Sequence, residues 1–157
     1  MVEELINGEK VIVSALTGGV MIPDSFINKR QHMQALRADY DELNDFHRWR
    51  FTPTGGQGVF AIQHVGTGRY MEPLRKAENS AVYENVRYQG PILLETGPLP
   101  HARNEWVIRP REDYFQIALK DTRFVVGLTH PDHDDSWVTL LDDWWSVDRL
   151  WLIRDVP

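Results

Sequence analysis

The apolar residues of this chain fall in short runs rich in Val, Ile, Leu, Phe and Trp, each soon broken by Gly, Pro, Asn or Asp. Stretches suited to a helix are few. β-Branched and aromatic side chains fit a pleated, half-buried surface, so this texture predicts many short strands joined by tight turns.

The runs repeat three times in one order. Val11-Ile12-Val13, Phe60-Ala61-Ile62 and Phe115-Gln116-Ile117 each open a copy. A turn follows in each: Leu16-Thr17-Gly18-Gly19, Val65-Gly66-Thr67-Gly68 and Leu119-Lys120-Asp121-Thr122. The second strands are Val20-Met21, Arg69-Tyr70-Met71 and Arg123-Phe124-Val125-Val126, and the third are Met33 to Leu36, Pro91 to Leu94 and Val138 to Leu141. Each copy closes on a tryptophan, in Trp49-Arg50-Phe51, Trp106-Val107-Ile108 and Trp151-Leu152-Ile153.

Spacing locates the one irregularity. Val13 to Trp49 is 36 residues and Ile117 to Trp151 is 34, but Ile62 to Trp106 is 44. Met21 to Leu36 and Val126 to Leu141 are both 15, against 23 from Met71 to Leu94. Copy two therefore carries about eight extra residues within Leu74 to Gly90, where a repeated scaffold tolerates an insertion. Its segment Val82 to Tyr88 alternates like an extra exposed strand.

One such unit cannot bury its apolar face alone. Four strands in three copies predict an all-β fold, a β-trefoil of twelve strands in three pseudo-repeats. The expected organisation is a single domain over residues 1–157, with repeats at about 9–54, 58–111 and 113–156 and the insertion at about 74–90. Trp49, Trp106 and Trp151 are expected in the shared core with Phe60, Ile62, Phe115 and Ile117, since aromatics supply the largest apolar area per residue.

Composition narrows the function. The 157 residues include no cysteine, which excludes disulfides, zinc–thiolate sites and cysteine nucleophiles. A formal charge of −6 argues against a nucleic-acid partner, because phosphate binding needs clustered Lys and Arg. No run approaches the roughly 18 apolar residues of a membrane span. The acidic start Met1-Val2-Glu3-Glu4 lacks the profile of a secretory signal, so the expected location is cytoplasmic, although a processed secreted form would look the same. No nucleophile triad, phosphate loop or dinucleotide fingerprint appears, so no enzyme and no cofactor are expected. The ligand types in His130-Pro131-Asp132-His133-Asp134-Asp135 fit no defined metal loop, and no metal site is expected.

With these residues in view, the chain resembles the ricin-B-like β-trefoil family, in particular its small cysteine-free fungal members. Phe60 to Met71 is similar to that family's opening hairpin, and His47-Arg48-Trp49, Asn104-Glu105-Trp106 and Arg149-Leu150-Trp151 stand where the family often has Gln-x-Trp. The Gln is replaced in all three copies. Relatives of this type include lectins, loop-presenting protease inhibitors and partner subunits, and fold alone does not choose among them.

A lectin pocket needs a carboxylate or amide for sugar hydroxyls and an aromatic face for the sugar's C–H side. The resemblance implies that these come from the end of the second strand, the third strand and the loop before the final Trp. Copy one then offers Asp24, Tyr40 and Asn44, and copy three offers Asp135, Trp144 and Asp148. Trp144 and Trp145 are adjacent, and in an extended segment they point to opposite faces, which predicts one at the surface. Copy two offers Glu72, Glu95 and Asn104 without an aromatic, and is expected to be dead or repurposed. The leading expectation is a lectin-like module whose partner is a glycan or glycoprotein. The alternatives are a protease inhibitor presenting Lys29 and Arg30 on the connection Asp24 to His32, and a non-catalytic subunit that docks another protein.

Overall fold

The structure is a computed structural model that describes residues 2–27, 30–36, 43–75, 88–94, 105–128 and 137–156. Among the described residues there is no α-helix. Three short 3-10 turns accompany the strands β1 (Lys10–Ser14), β2 (Val20–Ile27), β3 (Arg30–Leu36), β4 (Trp49–Pro53), β5 (Val59–His64), β6 (Met71–Arg75), β7 (Tyr88–Leu94), β8 (Trp106–Arg111), β9 (Tyr114–Leu119), β10 (Phe124–Leu128), β11 (Val138–Asp142) and β12 (Trp151–Asp155).

Six of these strands close on themselves. β1 pairs with β4, β4 with β5, β5 with β8, β8 with β9, β9 with β12, and β12 with β1, all antiparallel. A closed ring leaves no edge to template aggregation. The other strands form three hairpins, β2–β3, β6–β7 and β10–β11, linked through β7 to β3 and β11.

The three closing tryptophans occupy matching places. Trp49, Trp106 and Trp151 are all fully buried. The Trp49 Nε1–H donates to the Met21 carbonyl at 3.0 Å, that of Trp106 to Met71 at 3.2 Å, and that of Trp151 to Val126 at 3.0 Å. Each indole thus buries its area while satisfying its one donor, which left unpaired would cost roughly 1–3 kcal/mol. Phe60, Ile62 and Ile117 are buried in the same cluster, with Phe115 packed against it half-buried. Leu5, on the N-terminal turn Val2–Ile6, also joins it.

Strand pairing corrects two equivalences drawn from spacing. In copy one the ring residue matching Ile62 and Ile117 is Ile12, not Val13: Ile12 faces Ile153 as Ile62 faces Phe51 and Ile117 faces Ile108. In the hairpins, Met21 faces Ala35, Met71 faces Leu94 and Val126 faces Leu140, so Leu36 and Leu141 are each one position late. The copy-two excess is therefore nine residues instead of eight. The cause is burial on both faces of β1, where Val11 and Val13 join Val20 and Ile22 in a second apolar cluster outside the ring. Most of the insertion, including 82–87, lies outside the described residues. Arg75 pairing with Tyr88 shows that the hairpin continues up to it.

Candidate functional site

Each ring tryptophan faces a residue of the next strand unit across a seam: Trp49 faces His64, Trp106 faces Leu119, and Trp151 faces Ser14. One backbone bond recurs at each seam, from Val65 N to the Arg48 carbonyl at 3.0 Å, Lys120 N to Glu105 at 3.1 Å and Ala15 N to Leu150 at 3.0 Å. Three residues beyond the facing position stands a threonine, Thr17, Thr67 or Thr122. Its hydroxyl accepts the N–H two residues on, from Gly19, Arg69 and Phe124 at 3.1, 3.3 and 3.1 Å. Such local bonds are why threonine suits turns.

The loops entering Trp49 and Trp151 both make a short 3-10 turn, Asp45–His47 and Val147–Arg149. Counted back from the tryptophans, Asn44 matches Ser146, and Phe46 matches Asp148. Asn44 is an N-cap: its Oδ1 accepts the Phe46 N–H at 2.8 Å, while its own N–H donates to His47 Nδ1 at 3.1 Å. The oxygen counted as a sugar ligand is thus already engaged locally. Asp148 accepts a short hydrogen bond from the Ser146 hydroxyl.

Of the other copy-one residues, Asp24 lies in β2 where the register shifts between Pro23 and Phe26, a β-bulge, and Tyr40 lies outside the described residues. The stretch expected as an open connection is largely strand, because β2 runs through Ile27, which pairs with Arg30 at the start of β3. β-Branched and aromatic Phe26-Ile27 favour that continuation. Lys29 lies outside the described residues, as do Glu95, Asn104, Asp135 and the 130–135 His/Asp run. Glu72 is fully buried.

The surface chemistry gathers at copy three. Both indoles of Trp144-Trp145 are exposed, at 69% and 44%, correcting the expectation of one. The chain after Asp142 is not strand, so alternation of faces does not apply. Trp144 borders a shallow cavity of about 300 Å³ with Arg123, Asp142 and Asp143. The loop is pinned from beneath: buried Gln116 donates through Nε2 to the Asp143 carbonyl at 3.2 Å and accepts from Arg109 Nη1 at 3.1 Å. The Trp144 N–H donates to the Asp142 carbonyl at 2.9 Å. Guanidinium groups lie by both indoles, Arg149 at 5.8 Å from the Trp144 ring centre and Arg111 at 4.8 Å from that of Trp145, within cation–π range.

Asp148 is not part of that cavity. A Cβ on Gly127 would meet Leu141 Cδ1 at 2.7 Å, Arg149 Cγ at 3.0 Å and the Asp148 carbonyl at 3.2 Å, so the Val147–Arg149 turn sits directly on β10. Sequence reasoning missed Arg123, in the turn before β10, and Gln116, in β9. The one signal was Gln116 itself, a polar residue between Phe115 and Ile117 in an apolar run.

Among titratable groups His64 stands out. Burial pushes its pKa below the ordinary 6.5, opposed by its bond to the Phe46 carbonyl and aided by nearby His47. No group of three or more metal-ligating side chains occurs among the described residues.

No protein-family model and no curated protein sequence matches this chain. Solved structures do. A designed threefold-symmetric protein, ThreeFoil, superposes with a TM-score of 0.75 at 11% identity over 95% of this chain and 99% of that one. The Rhizoctonia solani agglutinin gives 0.72 at 17% identity over 94% of each chain. The Macrolepiota procera ricin B-like lectin, solved with lactose, gives 0.68 at 19% over 95% of each. The chain has the β-trefoil fold, which these two fungal proteins share over nearly their whole length.

Proposed function

We propose that this chain is a non-enzymatic carbohydrate-binding module, one domain of three pseudo-repeats, that grips a glycan at the Trp144 cavity. The exposed Trp144 indole, held on a pinned loop beside two carboxylates and a guanidinium, carries this reading. A sugar ring offers an apolar C–H face and a rim of hydroxyls. The indole meets the face, Asp142 and Asp143 accept from hydroxyls, and Arg123 donates to ring or carbonyl oxygens. Pre-fixing the loop removes the ordering cost that a weak ligand must otherwise overcome. The likeness to lectins of similar length supports the ligand class. In this reading Asp24, Tyr40, Asn44, Asp135 and Asp148 are further candidate contacts, to be tested one by one on the same array.

A glycan array with the purified protein tests this. Binding to a defined set of glycans is expected, weakened at least about tenfold by Trp144→Ala, as loss of one well-packed aromatic contact implies. A blank array, or one unchanged by Trp144→Ala, would overturn the assignment of the site.

A further inference from the structure

His64 is fully buried at the seam between the first two copies and uses both ring nitrogens. Its Nε2 lies 2.9 Å from the Phe46 carbonyl, and an oxygen there can only accept, so Nε2 carries the proton. Its Nδ1 lies 3.2 Å from the Thr67 N–H and 2.9 Å from the Thr67 hydroxyl, and it accepts. The ring stands edge-on to Phe46 at 5.2 Å and tilted against Trp49 at 5.0 Å. One imidazole thus joins two loops, the turn after β5 and the Asp45–His47 turn of the preceding copy. The neutral Nε2–H form satisfies every partner.

We propose that His64 is a proton-operated latch on this seam: neutral, it holds the two loops together, and protonated, it releases them. A proton on Nδ1 turns the Thr67 N–H contact into two donors facing each other and places a charge on a buried ring packed against Phe46 and Trp49. Burial, aided by nearby His47, outweighs the bond to the Phe46 carbonyl. The loop carries His47 and Asp45, with Arg48 within salt-bridge distance of both Asp45 and Glu9. The β5 turn carries Arg69, β4 carries Arg50 beside Glu9, and β6 carries the buried Glu72. The lowered pKa fixes the sign. The folded state resists protonation while the unfolded chain does not, so the latch is fully closed above about pH 6.5 and loses hold as the pH falls below it.

The fold supplies its own control. At the Trp151 seam the same turn is held by Ser14, whose Oγ accepts the N–H groups of Leu16 and Thr17 at 3.2 and 3.1 Å and has no titration in this range. The test is amide hydrogen exchange by NMR on the full chain without ligand, with rates corrected for their intrinsic pH dependence. Between pH 7.5 and pH 5.5 protection at Thr67 is expected to fall relative to that at Thr17, the direction that a lowered imidazole pKa dictates. His64→Gln should make that ratio pH-independent. A wild-type ratio constant across this range would overturn the proposal, and that result stands alone if the variant fails to fold. A ratio that still moves in folded His64→Gln would overturn it equally. No glycan enters the experiment, so its outcome is separate from that of the array.

Discussion

The seam at Trp49 and the seam at Trp151 share one backbone and differ in their chemistry. Both bury a tryptophan bonded to a hairpin carbonyl, and both tie the next turn to the incoming loop with a 3.0 Å amide bond. At the first, a long imidazole crosses to the Phe46 carbonyl and the loop is stapled by an Asn44 capping box. At the second, Ser14 is too short to cross, and the loop settles on Gly127. Copy three then carries its exposed aromatics just outside that loop, at Trp144 and Trp145. A repeat fold thus keeps its seams by backbone bonds while side chains at matching positions diverge in function.

The strongest break in this symmetry would come from the tryptophans. Trp49→Ala and Trp151→Ala should each cost about 3–5 kcal/mol in urea unfolding, nearly equally, because both empty the same core and orphan the same kind of carbonyl. A marked inequality would show that the seams are not equivalent. Next, His64→Ala should cost about 2–4 kcal/mol, since it opens a cavity and leaves the Phe46 carbonyl and Thr67 N–H without their partner. Ser14→Ala, which removes only a turn cap, should cost about 1 kcal/mol in the same assay.

The third sharpening concerns the loop seat. Gly127→Ala should cost about 1–3 kcal/mol by overpacking against Leu141 and the Arg149 stem, measured by thermal unfolding. Smallest of all, Trp144→Ala should change stability by no more than about 0.5 kcal/mol, as an exposed residue outside the core. A large loss there would mean that the indole serves folding.

The fold was legible because its inward positions carry their own mark. Each closing Trp is followed two residues later by Phe51, Ile108 or Ile153, and alternation sends both side chains to one side. Register failed where that mark is doubled. Ile12-Val13, Ala35-Leu36 and Leu140-Leu141 put two apolar residues side by side, and hydropathy cannot tell which one enters the ring. The site was legible only in part. An aromatic pair in a polar segment announces itself, but Arg123 beside the Trp144 cavity and Gln116 under Asp143 come from distant parts of the chain that no local pattern links to it. An amide near the final Trp looks the same in sequence whether its oxygen faces solvent or, as in Asn44, caps a turn. His64 gave no warning either, since a histidine ending an apolar strand does not show which carbonyl it will meet.

The glycan reading rests on Trp144, and indole NMR addresses it directly. The six tryptophans give six Nε1–H signals, three of them from the buried Trp49, Trp106 and Trp151. On titration with an array-selected glycan, the Trp144 signal should move most, with Trp145 following and the three core indoles unmoved. Saturable binding that leaves Trp144 in place while other signals shift would contradict the account.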